Sequence, residues 1–133
     1  MKILLIADGR SPITRRWIEM MKPFGYELVL ISTFPCNPVE GVIKQYSLPL
    51  AFARQSGSQA GISTSTIKKR LINSFRPLAQ RIRHLLGPWT IAFRSKQFLA
   101  ILEIEKPNLV HALRIPFEGM LASCTPKSIP VIL

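Results

Sequence analysis

The chain has 133 residues, enough for one domain with a single core. Hydrophobic residues make up 47% of it, an ordinary globular share, and no apolar run approaches the roughly 20 residues that cross a bilayer, which argues against a transmembrane helix. The formal charge of +11 points to an anionic partner, with a membrane surface, a phosphorylated ligand and nucleic acid as the candidate classes.

The opening apolar run, residues 2–7, is short and continuous, as expected of a central parallel strand covered on both faces. Asp8 interrupts it before it is long enough for a signal peptide, and no small-residue cleavage site follows. Ser11 and Pro12 then mark a helix start, Ser11 as the capping residue and Pro12 preset for the first helical position. This helix carries Trp17, Ile18, Met21 and Phe24, and Pro23 with Gly25 ends it. Residues 26–32 are the second strand, completing a β-α-β unit.

Pro35, Asn37 and Pro38 define a loop, after which residues 42–48 form a third strand. Residues 55–66 are rich in Ser, Gly, Thr and Gln without periodicity and are expected to be a mobile loop. From Ile67, apolar residues recur at helical spacing through Leu71, Phe75, Leu78, Ile82 and Leu85, with a kink expected at Pro77. Residues 89–104 are apolar nearly all round, which predicts a buried helix. Pro107 stops it, residues 108–113 form a fourth strand, and residues 116–123 a short helix. Residues 130–133 begin like a fifth strand, and an end at Leu133 resembles a truncation, since the crossover that would cover this strand is missing.

The alternation predicts a doubly wound α/β domain in which the carboxyl ends of strands one and four meet at the switch point, the place where ligands bind in such sheets. The loop after the first strand is the first candidate. Gly9 permits close backbone approach, the helix start supplies amides and partial positive charge, and Arg10 and Arg15 offer charge-assisted bonds to an anion. A well-begun helix with solvated arginines would look the same. Neither GxGxxG nor GxxxxGK[ST] occurs, so dinucleotide and P-loop chemistry lack their motifs. His111 near the end of the fourth strand is a ligand candidate or a core histidine bonded to backbone, and Glu118 a ligand residue or a first-turn acid favouring the helix dipole.

Two stretches resemble a known family: Met1-Lys2-Ile3-Leu4-Leu5-Ile6-Ala7-Asp8 with Ser11 and Arg15-Arg16-Trp17, and Lys106-Pro107-Asn108-Leu109-Val110-His111-Ala112-Leu113-Arg114 with Glu118-Gly119. They are similar to the N-terminal domain of family 4-like glycosyltransferases (glycosyl transferase group 1) of the GT-B fold. The resemblance spans most of the chain, with its specific motifs confined to these stretches. It implies a Rossmann-like three-layer half of a GT-B enzyme that binds the sugar acceptor, with a lipid-linked acceptor among the candidates. A C-terminal domain, the missing partner, would bind the nucleotide-sugar co-substrate, so residues 1–133 would be one N-terminal domain, inactive alone. No cofactor or metal is implied. The family often has Pro-Asp and then His-Ala-His, whereas this chain has Pro107-Asn108 and His111-Ala112-Leu113, without the second histidine.

The expected substrate-binding set is Asp8, Gly9, Arg10, Ser11, Arg15, His111, Arg114, Glu118 and Gly119, with no catalytic base named. Residues 41–102 contain no acid, and Lys68, Lys69, Arg70, Arg76, Arg81 and Arg83 form a basic side suited to anionic headgroups, or a merely solvated one. A non-enzymatic nucleic-acid- or partner-binding module is the competing class, although the basic segment lacks interleaved aromatics that would stack bases. Cys36 and Cys124 lack metal-site spacing and are expected to be reduced thiols, which places the protein in the cytoplasm, at the inner face of the membrane if the basic side is used.

Overall fold

The computed structural model describes residues 1–50 and 91–133. β1 (Lys2–Ala7) is followed by α1 (Pro12–Met21), a 3₁₀ turn (Lys22–Phe24), β2 (Glu27–Ser32) and β3 (Lys44–Ser47). Residues 91–105 are helical (α2), and β4 (Leu109–Ala112), an irregular helical turn (Ile115–Gly119), α3 (Met120–Ala122) and β5 (Val131–Ile132) complete the order. The five strands form one sheet in the order β3-β2-β1-β4-β5, and every pairing is parallel. Beyond this coarse α/β arrangement, the basic residues Lys68, Lys69, Arg70, Arg76, Arg81 and Arg83, the expected loop over 55–66 and the kinked helix around Pro77 lie outside the described residues.

The alternation of side chains along a strand sorts the core into two layers. Ile3, Leu5 and Ala7 of β1 join Leu28 and Leu30 of β2 beneath Ile18 of α1. Leu4 and Ile6 join Val29, Ile31 and Val110 on the other face, where Phe98, Ile101 and Leu102 of α2 cover them. α1 ends as its sequence requires: Gly25 takes the left-handed conformation (φ 66°) and donates its N–H to the Lys22 carbonyl.

Three expectations need correction. Ser11 occupies the N-cap position with extended backbone, yet its side chain makes no capping bond; its own N–H goes to the Asp8 carbonyl instead. α2 is not buried all round, because it covers the sheet from one side: Ile91, Phe98, Ile101, Leu102 and Glu105 face inward, while Phe93 is 77% and Ile104 65% exposed. The short helix expected over 116–123 is regular only at Met120–Ala122, since Pro116 (ψ 135°) and Phe117 (φ 63°) leave helical geometry.

The amino edge of the sheet is fastened by charge. Glu105, at the end of α2, accepts hydrogen bonds from Lys44 Nζ (2.8 Å), Lys2 Nζ (3.4 Å) and the Tyr46 hydroxyl. Lys44 and Tyr46 hold its carboxyl down at about 2, against the desolvation that opposes ionisation, and the same partner raises Lys44. Asn108 adds a backbone stitch, with Lys2 N–H donating to Asn108 Oδ1 at 2.7 Å and Asn108 N–H to the Lys2 carbonyl at 2.9 Å.

Two outcomes are expected. Glu105 has a folded-state value of about 2 against an ordinary 4.5, so its contribution is full above 4.5 and is lost as pH falls towards 2. Thermal melts of Glu105→Gln should therefore show a deficit relative to the parent protein at pH 6 that narrows steadily between pH 4.5 and pH 2. Lys106, which closes α2 by donating its N–H to the Leu102 carbonyl, does so at φ 45°. Lys106→Gly relieves that left-handed strain and should stabilise the fold by about 1 kcal/mol in urea denaturation.

Candidate functional site

β1 pairs with both β2 and β4, and the chain leaves β1 and β4 towards opposite faces: α1 packs on the Leu5 layer, whereas Leu121 and Ala122 of α3 join the Leu4 layer. This is the topological switch point, and the crevice lies at the carboxyl ends of β1, β2 and β4. The loop 8–11, the loop after Ser32 and the turn 114–119 meet there.

Asp8 is buried and committed to Arg10. Its Oδ1 accepts from the Arg10 backbone N–H at 3.0 Å and from Arg10 Nε at 3.1 Å, while Oδ2 accepts from Nη2 at 3.1 Å. Burial opposes its ionisation, but the Arg10 bonds and the charges of Arg10 and Arg114 outweigh this and hold the carboxyl below the usual carboxylate value. The Arg10 guanidinium also lies 4.0 Å from the centre of the Phe34 ring, a cation–π contact in addition to its bonds to Asp8.

Gly9 is required by packing within the chain. A methyl group there would meet Cys36 Sγ at 2.5 Å and Ser32 Oγ at 3.0 Å. Its N–H donates to Ser32 Oγ at 3.1 Å, and Arg15 Nε donates to the Gly9 carbonyl at 3.4 Å. The loop is thus seated on the end of β2 before any ligand arrives. Cys36 and Cys124 are both free thiols.

Glu118 is the least expected member. Its side chain is buried, at 3% exposure, with Oε1 accepting from the Thr33 hydroxyl at 3.0 Å across the crevice. Oε2 has no hydrogen-bond partner among the described residues. Desolvation lifts this carboxyl to about 7, assisted by the Asp8 charge and opposed by the Thr33 bond, the Arg114 charge and, most weakly, the nearby Asp8 backbone N–H. An unpartnered buried acceptor costs about 1–3 kcal/mol. The preceding residue adds to it: Phe117 stands at φ 63° and ψ −54°, a conformation of the strained γ-turn type worth roughly 1–3 kcal/mol. The turn is closed by Gly119 N–H donating to the Arg114 carbonyl at 2.8 Å.

Asp8, Gly9, Arg10, Ser11, Arg15, Arg114, Glu118 and Gly119 are thus gathered around one crevice. His111 is placed elsewhere. It pairs in register with Leu5 beneath α1, and its ring meets Trp17 edge-on with centroids 4.9 Å apart. Burial lowers its proton affinity, which favours the neutral imidazole. Ser32 and Thr33 complete the crevice without having been singled out from sequence, although their place at the end of the second strand was the available signal. Among the described residues, no group of three or more His, Cys, Asp or Glu side chains could hold a metal ion.

The raised Glu118 value fixes the sign of a stability experiment. Between 4.5 and 7 the folded protein keeps a proton that the unfolded chain has released, so this residue makes the fold less stable as pH rises through that window. Glu118→Gln should melt higher than the parent protein at pH 8, by roughly 2 kcal/mol, and the gap should close by pH 4.5.

No protein-family model, no curated protein and no solved structure matches this chain.

Proposed function

We propose that this chain forms the acceptor-binding half of a two-domain glycosyltransferase of the GT-B type, and that the acceptor lies in the crevice between the ends of β1 and β4. The observation that carries the reading is a convergence. The two stretches that resemble family 4-like enzymes are separated by about ninety residues in sequence, yet Asp8, Gly9 and Arg10 from one lie around the same crevice as Arg114, Glu118 and Gly119 from the other. Thr33 ties them together through its hydroxyl bond to Glu118 and its N–H bond to the Ala7 carbonyl.

The chemistry of the crevice suits a hydroxyl-bearing acceptor better than a nucleotide. Its side-chain groups include the Asp8 and Glu118 carboxyls and the Ser32 and Thr33 hydroxyls, and the exposed Arg114 stands close enough to both acids for its charge to act on them. Sugar transfer also needs donors that stabilise the departing diphosphate, and in a two-lobe enzyme these come chiefly from the lobe that binds the nucleotide-sugar. Residues of this half would orient the acceptor hydroxyl and exclude water from one wall. Among the described residues no helix is long and apolar enough to cross a membrane.

The test is an NMR titration of the purified chain with neutral sugar acceptor analogues and, separately, with a panel of nucleotide-sugars. Saturable shifts of the Gly9, Thr33 and Gly119 amides are expected with an acceptor analogue and not with the nucleotide-sugars, together with no turnover of the latter. Transfer or hydrolysis of a nucleotide-sugar by this chain alone would refute the two-lobe account, and salt-sensitive nucleic-acid binding without acceptor binding would favour a basic binding module.

A further inference from the structure

Among the described residues, Glu118 Oε2 and Thr125 Oγ1 are the buried side-chain oxygens that lack a hydrogen-bond partner. They differ in consequence. A hydroxyl without a partner loses one neutral bond, whereas a carboxyl must either keep its proton or stand as an uncompensated charge. Glu118 is also restrained, being buried and bonded through Oε1 to the Thr33 hydroxyl.

The surroundings define what would satisfy that oxygen. Asp8 already spends its oxygens on three bonds from Arg10, and Arg10 is further engaged with Phe34. Arg114 acts on both carboxyls through its charge. A cationic ligand would meet two guanidinium groups, and a fully ionised anion has no hydrogen to donate to Oε2. A neutral O–H donor meets neither objection. Glu118 belongs to the turn Ile115–Gly119, in which Ile115 and Pro116 are exposed and the Phe117 backbone departs from helical geometry.

We propose that Glu118 Oε2 accepts a hydrogen bond from a hydroxyl group of an uncharged polyol or sugar, reached when the turn Ile115–Gly119 shifts aside. The inference rests on the acceptor-binding reading for its ligand class and adds the atom that recognises the ligand and the segment that admits it. A hydroxyl donating to Oε2 favours the ionised carboxyl, so binding near pH 7 releases a fraction of a proton. No bond to carbon forms or breaks in this step.

The experiment uses the full chain and a series of neutral methyl glycosides. NMR reports binding at Gly9, Thr33 and Gly119, and calorimetry at pH 7 in two buffers of different ionisation enthalpy reports proton release. A glycoside that shifts these amides should bind at least tenfold more weakly to Glu118→Gln, and the proton release seen with the parent protein should vanish in the variant. The variant keeps an oxygen for Thr33 and removes a buried charge, so it is expected to fold. Equal affinity in the two proteins, or a proton release that persists in Glu118→Gln, overturns the role of Oε2 while leaving acceptor binding in place. Absence of binding by every glycoside overturns both readings.

Discussion

β1 has no solvent face: every side chain from Ile3 to Ala7 is buried, and a strand lies along each of its edges. A strand of this kind cannot exist without a layer above and a layer below, and both layers have to be delivered by connections that leave the sheet in opposite directions. Covering β1 is therefore what produces the crevice. The chain departs from its carboxyl end to form α1 on one face, and departs from the neighbouring β4 to form α3 on the other. The gap between the two departures is a by-product of burying Leu4 and Leu5 at the same time.

The two ends of the sheet then solve opposite electrostatic problems. At the amino edge, Glu105 is surrounded by Lys2, Lys44 and Tyr46 and is satisfied as an anion. At the carboxyl edge, Glu118 is buried beside one hydroxyl, a neighbouring acid and the charge of Arg114, and burial raises it to about 7. The first arrangement fastens α2 to the strands it crosses. The second leaves an acid poised between protonation states in the part of an α/β sheet where ligands are bound.

Much of the fold was legible in the sequence because it depends on local patterns. The apolar runs of β1 and β2, the Pro12 start and the Gly25 stop of α1, and the Pro107 stop of α2 each lie within a few residues of the feature they determine. α2 shows where that reasoning ends, since its apolar content predicted complete burial while Phe93 and Ile104 face outward. Periodicity identifies a helix; which faces are covered depends on partners far away in sequence. The same limit hid Glu118. Locally it has the pattern of a first-turn acid, and only the irregular backbone at Phe117 and the arrival of Thr33, 85 residues distant, turn it inward. Glu105 was missed for the same reason, its partners lying at the starts of β1 and β3.

The seat of Gly9 against Ser32 and Cys36 makes three positions share one small volume. Such a volume limits the three side chains as a sum and not residue by residue. Over evolutionary time, a larger side chain at position 9 becomes tolerable only in a background that has already shrunk position 36 or 32, so the order in which substitutions arise is constrained even where the final combination is stable. Lineages carrying this loop would be expected to show compensating pairs at these positions, and a chimera that mixes the β1 loop of one lineage with the β2 loop of another would be the combination most prone to fail.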